Sequence, residues 1–229
     1  MTTRRHLAAS KPLRVVITAG PTREPIDRVR FLSNYSTGYM GAVLAAEALK
    51  RGYRAVVVHG PIVEPLPRGV RAIPVEHAAQ MERALRRSAR DADVVVMAAA
   101  VSDFRAARPA SGKWRRHGRQ TLLLRATPDI IGRLPRRPRQ LVVGFAVESA
   151  HVVQRARQKL QQKRLDLVLA QQANGTGAPF GRHPVQAWLL SRGGEVAPLG
   201  TITKPQVART LLDKIEALWY GQPERARRT

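Results

Sequence analysis

The sequence predicts an α/β fold, a Rossmann-like, doubly wound and mostly parallel sheet with a mobile basic flap set into it. Three observations carry this. Short β-branched apolar runs alternate with helix-like stretches through roughly the first hundred residues. Residues 93–98, DVVVMA, form a continuous apolar run of the kind found in a central parallel strand covered on both faces. Residues 17–41, ITAGPTREPIDRVRFLSNYSTGYMG, join a strand to a helix through a loop far too elaborate for a mere connection. Ligands in such sheets bind beyond the carboxyl ends of the strands, where this loop and residues 99–103 would both lie.

The elements follow in order. Residues 13–18 are a buried strand, and 38–51 a helix with Met40, Val43, Leu44 and Leu49 at helical spacing. Strands are expected at 55–58 and 70–75, separated by the Pro-rich turn HGPIVEPLP, and a helix at 76–90. After the 93–98 strand the character changes. Residues 105–119 are rich in Arg, Gly, Pro and Ser without an apolar period, which predicts the flap. A strand at 121–125 comes next, then a short helix at 127–134 with Thr127 as cap and Pro128 in its first position. Strands at 140–146, 165–170 and 185–190 alternate with helices at 149–163 and 204–219. The expected organisation is a disordered basic arm at 1–11, one ligand-handling domain at 12–220, and a disordered basic tail at 221–229.

Composition narrows the chemistry. The chain has 229 residues, enough for one substantial core, and its 44% hydrophobic content suits a globular protein. No run approaches the eighteen or so apolar residues of a membrane span, and the opening MTTRRHLAAS lacks a signal-peptide core. The expectation is a cytoplasmic protein without a membrane partner. The absence of cysteine excludes disulfides, thiolate metal sites and cysteine nucleophiles, and the six scattered histidines offer no ligand pair, so no protein metal centre is expected. A net charge of +24 suits anionic substrates or a nucleic-acid partner, which the chemistry permits and does not require. Only seven of the 40 basic residues are lysine. Ammonium and guanidinium groups are not interchangeable around a phosphate, so positions where lysine persists stand out.

The chemistry-bearing residues fall into three blocks. In the first, Gly20, Gly38 and Gly41 permit close approach to backbone, and Ser36, Thr37 and Gly38 sit at a helix N-terminus that favours an anion. Taken alone, such a cluster also fits an ordinary Ser/Thr-capped crossover. In the second, AAAVSDFRAA places Ala99 and Asp103 at a strand end, with Lys113 ten residues beyond Asp103 in GKWRR. A strand-end Asp is commonly a turn residue, and a lysine among arginines is commonly solvated. The third contains TPDIIG (Pro128, Asp129, Ile130, Ile131), VGFAVES with Phe145, and ARQKLQQK, whose Lys159 and Lys163 share one helix face. Two like charges at that spacing repel unless they point into water or an anion lies between them.

These blocks, in this order, resemble phosphopantothenate–cysteine ligase, also called phosphopantothenoylcysteine synthetase, from about Arg14 to Leu218. The resemblance rests on AGPT, the VR, SN and MG elements, the AAVADY-like segment, a lysine flap, PDI, VGFA and the paired lysines. It implies a ligase of coenzyme A synthesis that activates the carboxylate of 4′-phosphopantothenate with CTP and Mg²⁺, releasing pyrophosphate. Cysteine's amine then attacks the acyl nucleotidylate and CMP leaves. By similarity, Gly20, Ser36, Gly38 and Gly41 cradle phosphates; Asp103, residues 128–131 and Phe145 hold base and ribose; Lys159 and Lys163 meet the triphosphate or pyrimidine side. Lys113 closes over the reacting centre and Asn34 orients the acyl carbonyl. A homodimer is implied, because the family builds its acyl-substrate site near a subunit interface.

The chain departs from the family at several positions. Tyr39 stands in place of Lys or Arg, Thr37 in place of Ser, Arg115 and Arg116 in place of flap lysines, Thr127 in place of Asn, and Gln171 where Asn is common. About thirteen residues precede the first predicted strand, too few for the family's flavin-dependent decarboxylase half, so a separate decarboxylase and no bound flavin are expected. Two other readings share the same residues: a nucleic-acid-binding protein on a retired ligase scaffold, and a nucleotide-dependent ligase for another acid.

Overall fold

A computed structural model describes residues 11–175 and 177–221; the predicted arm and tail fall almost entirely outside them. β1 (Arg14–Ala19) anchors the sheet, hydrogen-bonding in parallel to β4 (Arg54–His59) on one side and β6 (Val94–Met97) on the other. The chain first builds outward through β4 to β5 (Arg71–Pro74), then returns to β6 and continues through β9 (Leu141–Glu148), β10 (Leu167–Gln172), β11 (Val185–Ser191) and β12 (Val196–Ile202). The resulting order is β12-β11-β10-β9-β6-β1-β4-β5, in which β11 alone runs against the other strands, so that its pairings with β10 and β12 are antiparallel. The crevice between the carboxyl ends of β1 and β6 is therefore the topological switch point, where a doubly wound sheet opens to a ligand.

Alternation along the strands explains the layers. Val15, Ile17 and Ala19 pack toward α1 (Tyr39–Lys50) and α4 (Lys204–Tyr220), while Val16 faces the opposite cluster with α2 (Ala78–Ala89) and α3 (Val152–Gln162). Each buried strand thus feeds both layers, which is why it reads as an uninterrupted apolar run. Gly41 brings α1 against β1: a Cβ there would stand 2.3 Å from that of Ala19. This is close helix–strand packing.

The main strands and helices arise where the sequence predicts them, with four exceptions. The 121–125 strand lies at β8 (Leu124–Ala126) and pairs with β7 (Phe104–Ala106), outside the main sheet. The 127–134 helix does not form. Asp129 instead closes a turn, accepting from the Gly132 N–H at 3.1 Å, and the prolines at 128 and 135 leave too little chain for a helix. β12 has no counterpart among the predicted strands; Pro198 and Gly200 disfavour a strand interior, and its edge position, beside an irregular register at Ala187 and Trp188, tolerates both. A two-residue pairing of β2 (Glu24–Pro25) with β3 (Phe31–Leu32) inside the long first loop was also not foreseen.

Candidate functional site

The first loop and the 99–103 segment are laced together above the switch point. Ala100 N–H donates to Gly20 O (2.9 Å), Thr22 N–H to Ala100 O (3.3 Å), and Ser102 N–H to Thr22 Oγ1 (3.0 Å). The Asn34 amide joins the same lattice, Nδ2 donating to Ala100 O at 2.5 Å and Oδ1 accepting from the Ser36 N–H at 3.0 Å. Gly20 and Gly38 have φ of +76° and +86°, and both fit closely against Ile62, so the turn before α1 requires their left-handed backbone. Gly38 caps α1 with no side-chain cap bond; the Thr37 hydroxyl accepts from the Tyr39 N–H at 3.3 Å. The first turn of α1 carries no acidic residue that would occupy its positive end.

Over the carboxyl ends of β1, β6, β9 and β10 lies a cavity of about 530 Å³. One wall is residues 36–40, another residues 97–103, and the third residues 126–131 with the α3 lysines. Ser36, Gly38, Ala99, Asp103, Pro128, Asp129, Ile130, Ile131, Phe145, Lys159 and Lys163, predicted from three separate blocks, all line it. A second cavity of about 540 Å³ lies by α3's last turn, where Arg136 and Arg192 donate to the carbonyls of residues 163–165. Two of its arginines are thus engaged in capping a helix end, and it lies away from the carboxyl ends of the parallel strands, so the switch-point cavity is the better ligand site.

The two lysines of α3 have different partners. Lys159 Nζ donates to Phe145 O at 2.6 Å; burial, then the neighbouring Lys163 charge, push its pKa below the ordinary lysine value. Lys163 pairs with Asp129 at 2.7 Å. Burial alone would raise Asp129, but the Lys163 hydrogen bond and the Gly132 N–H outweigh it and keep the carboxyl ionised to lower pH. The predicted mutual repulsion of the lysines is thus met partly by a carboxylate on the adjoining turn.

Four predicted residues stand outside the cavity wall. Gly20 and Gly41 lie behind it, and Asn34 sits in the loop lattice. Lys113 is exposed on the flap between two anchored neighbours: Ala110 N–H donates to Ile26 O and Trp114 N–H to Asp27 Oδ2, both at 2.9 Å. Asp27 is buried, and it also accepts from the backbone N–H groups of Val29 and Arg30 and from the Arg30 guanidinium. Arg30 foremost, then the Trp114 N–H, hold its carboxyl well below the usual carboxylate range. Sequence reading missed Asp27, since its contact with Trp114 joins two loops 87 residues apart and leaves no local pattern.

It also missed the far wall, formed by Pro179, Phe180, Gly181 and Lys204. The scarcity of lysine was a signal for Lys204, masked by its place at the start of a surface-looking helix. Tyr39, noted as lacking a cation, lies 5.0 Å beneath the Arg182 guanidinium, which also reaches Glu64 at 2.8 Å. Among the described residues, no cluster of three His, Cys, Asp or Glu could hold a metal, and no helix is long and apolar enough to cross a membrane.

A doubly wound sheet with a helix N-terminus and two α3 lysines at one switch-point cavity defines a Rossmann-like α/β domain with its candidate ligand site where such sheets bind ligands. The chain belongs to the family of the DNA/pantothenate metabolism flavoprotein C-terminal domain, whose model matches residues 10–218. It is 38% identical over 215 residues to the coenzyme A biosynthesis bifunctional protein CoaBC of Bacillus subtilis, covering 93% of this chain and 53% of that protein. The corresponding Escherichia coli K12 protein is 37% identical over 212 residues, covering 90% and 52%. The chain therefore spans about half the length of these relatives. The crystal structure of the C-terminal domain of a CoaBC protein superposes with a TM-score of 0.77 at 32% identity, over 92% of this chain and 97% of that one. A Cab2 variant in complex with phosphopantothenate-cysteine shares the fold, with a TM-score of 0.71 at 18% identity over 91% and 88%.

Proposed function

We propose that this domain joins 4′-phosphopantothenate to cysteine through an acyl-nucleotidylate, consuming CTP and releasing pyrophosphate and then CMP. The observation that carries the reading is the convergence, in one cavity at the switch point, of a helix N-terminus with no acidic residue in its first turn, the 128–131 turn and two lysines, on a chain of the pantothenate-metabolism family. The relatives named for coenzyme A biosynthesis and the fold neighbour bound to phosphopantothenate-cysteine support the same substrates.

In this mechanism an oxygen of the pantothenate carboxylate attacks the α-phosphorus and the bond to pyrophosphate breaks. Cysteine's amine next attacks the acyl carbon, loses a proton and expels CMP. The first step gathers several negative charges, so fixed donors and cations must already be in place. The α1 N-terminus with Ser36 and Gly38 receives phosphate oxygens, and Lys159 and Lys163 face them from α3. Ala99, Asp103, residues 128–131 and Phe145 hold the nucleoside. Mg²⁺ would enter as a companion of the triphosphate, since such an ion keeps several waters and takes few carboxylates. Its charge offsets that of the triphosphate when bound.

Lys113 acts once the flap folds over the cavity, and Asn34 fixes the loop that presents the acyl group. The homodimer and a decarboxylase acting on the product belong to the same reading. Incubation with phosphopantothenate, cysteine, Mg²⁺ and each nucleoside triphosphate tests it. The expected result is CTP-dependent pyrophosphate release and the mass of phosphopantothenoylcysteine; no product with any nucleotide overturns it.

A further inference from the structure

One end of the cavity contains polar groups that the reading above does not use. Lys204 opens α4 yet is only 3% exposed, and it forms part of the cavity wall. Its Nζ donates to the carbonyls of Pro179 and Gly181, each at 2.6 Å, leaving a third N–H uncommitted. Both acceptors are neutral. Among the described residues no carboxylate forms an ion pair with it: Glu64, the acid that acts on it from a distance, is held by Arg182. A buried ammonium without a counter-ion is costly to keep. Gln171, at the carboxyl end of β10, is 4% exposed and lines the same cavity, and its Nε2 is buried with no acceptor. An orphaned buried amide donor is likewise costly. Two independent deficits, one of charge and one of a hydrogen-bond acceptor, thus border a single cavity.

We propose that Lys204 and Gln171 form an oxyanion subsite, distinct from the α1 N-terminus and the α3 lysines, that takes a phosphate or carboxylate oxygen of a bound substrate. A bound anion supplies both what the ammonium and what the amide lack. Burial, opposed by Glu64, already lowers Lys204 to about 8, so an arriving oxyanion raises it again and draws a proton from solution near that pH. The other charged or titratable groups in its surroundings include Tyr39 of α1, Glu64 after β4, Arg182 and His183 beyond Gly181, and across the cavity Asp103, Asp129, Lys159 and Lys163. The subsite depends on the ligase reading only for which substrate supplies the oxygen.

Calorimetry at pH 8 in buffers of different ionisation enthalpy tests the subsite, with inorganic pyrophosphate, Mg²⁺–CTP and cysteine as separate probes. Lys204→Gln and Gln171→Leu should weaken the same probe about tenfold or more. Weakening of pyrophosphate or CTP identifies a phosphate oxygen; weakening of cysteine identifies a carboxylate. Lys204→Arg keeps the charge but not the compact ammonium, so it should weaken binding less than Lys204→Gln does while losing part of the proton uptake. A residue that only staples the loop would leave that uptake unchanged. Thermal melts of each variant identify any that fail to fold, and Gln171→Leu and Lys204→Arg then decide. Unchanged affinities and proton uptake in these variants, or no binding of any probe by the parent, overturn the subsite. Binding that is lost as expected in the variants, with no ligated product from the parent, overturns the ligase reading alone.

Discussion

Lysine is scarce enough in this chain that each one near the cavity can be examined for what an arginine would fail to do. Lys159 spends one N–H on Phe145 O and keeps its remaining donors toward the cavity wall. Replacement by Met preserves the stem and removes the charge. Lost charge-assisted hydrogen bonds to phosphate, roughly 1.5–3 kcal/mol, should weaken Mg²⁺–CTP about ten- to a hundredfold in direct titration, with little change in melting temperature. An affinity equal to the parent's would remove Lys159 from the phosphate site. Lys204 makes a different prediction, about stability. Its pKa of about 8 lies below the ordinary 10.5, so between those values the unfolded chain holds a proton that the native one has released. Stability from this residue therefore rises with pH across that window. Denaturant unfolding at pH 7.5 and pH 10 should show the difference between the parent and Lys204→Met moving in the parent's favour at the higher pH. A difference independent of pH would mean that Lys204 is not perturbed in the native state.

At the scale of elements, the flap is a loop whose two ends are held by different means. The β7–β8 pairing closes its base, and Asp27, through Trp114, ties its leading half to residues 26–30. Lys113 precedes Trp114, so the anchor that orients the flap is adjacent to the proposed catalytic lysine. In Asp27→Ala the flap should loosen: trypsin cleavage at Arg115, Arg116 and Arg119 should accelerate, and turnover should fall roughly tenfold or more, as misplaced catalytic groups are expected to cost. Parent-like proteolysis would show that the anchor carries no load. These same elements mark where sequence reading ends. Runs such as 93–98 declare themselves because both faces are buried, but β7 and β8, three residues each, are too short to carry a period. The 127–134 turn was mistaken for a helix because Thr-Pro-Asp imitates a helix start, whereas Gly132 packs under Asp129 so closely that a Cβ would meet its Oδ2 at 2.3 Å.

At the scale of the whole molecule, topology accounts for how much of the site was legible. Residues 36–38, 99–103, 128–131, 145 and 159–163 are far apart in the chain, and they meet because the order β10-β9-β6-β1 sets the ends of four parallel strands side by side. Alternating strands and helices imply that arrangement, so the wall built on parallel strands was within reach. Lys204 was not, since it enters through a helix following the antiparallel β11–β12 pair, whose edge strand the sequence disguises. The net charge of +24 remains a property of the entire surface. A field of that sign draws polyphosphates toward the cavity before any specific contact forms, and salt screens it over about 10 Å at 0.1 M. Stopped-flow binding of Mg²⁺–CTP should therefore show an association rate constant that falls severalfold between about 20 and 200 mM salt, with a dissociation rate nearly constant, because contacts inside the cavity are screened far less. If dissociation instead carries the salt dependence, the surface arginines contribute nothing to capture, and the excess charge serves some purpose other than this site.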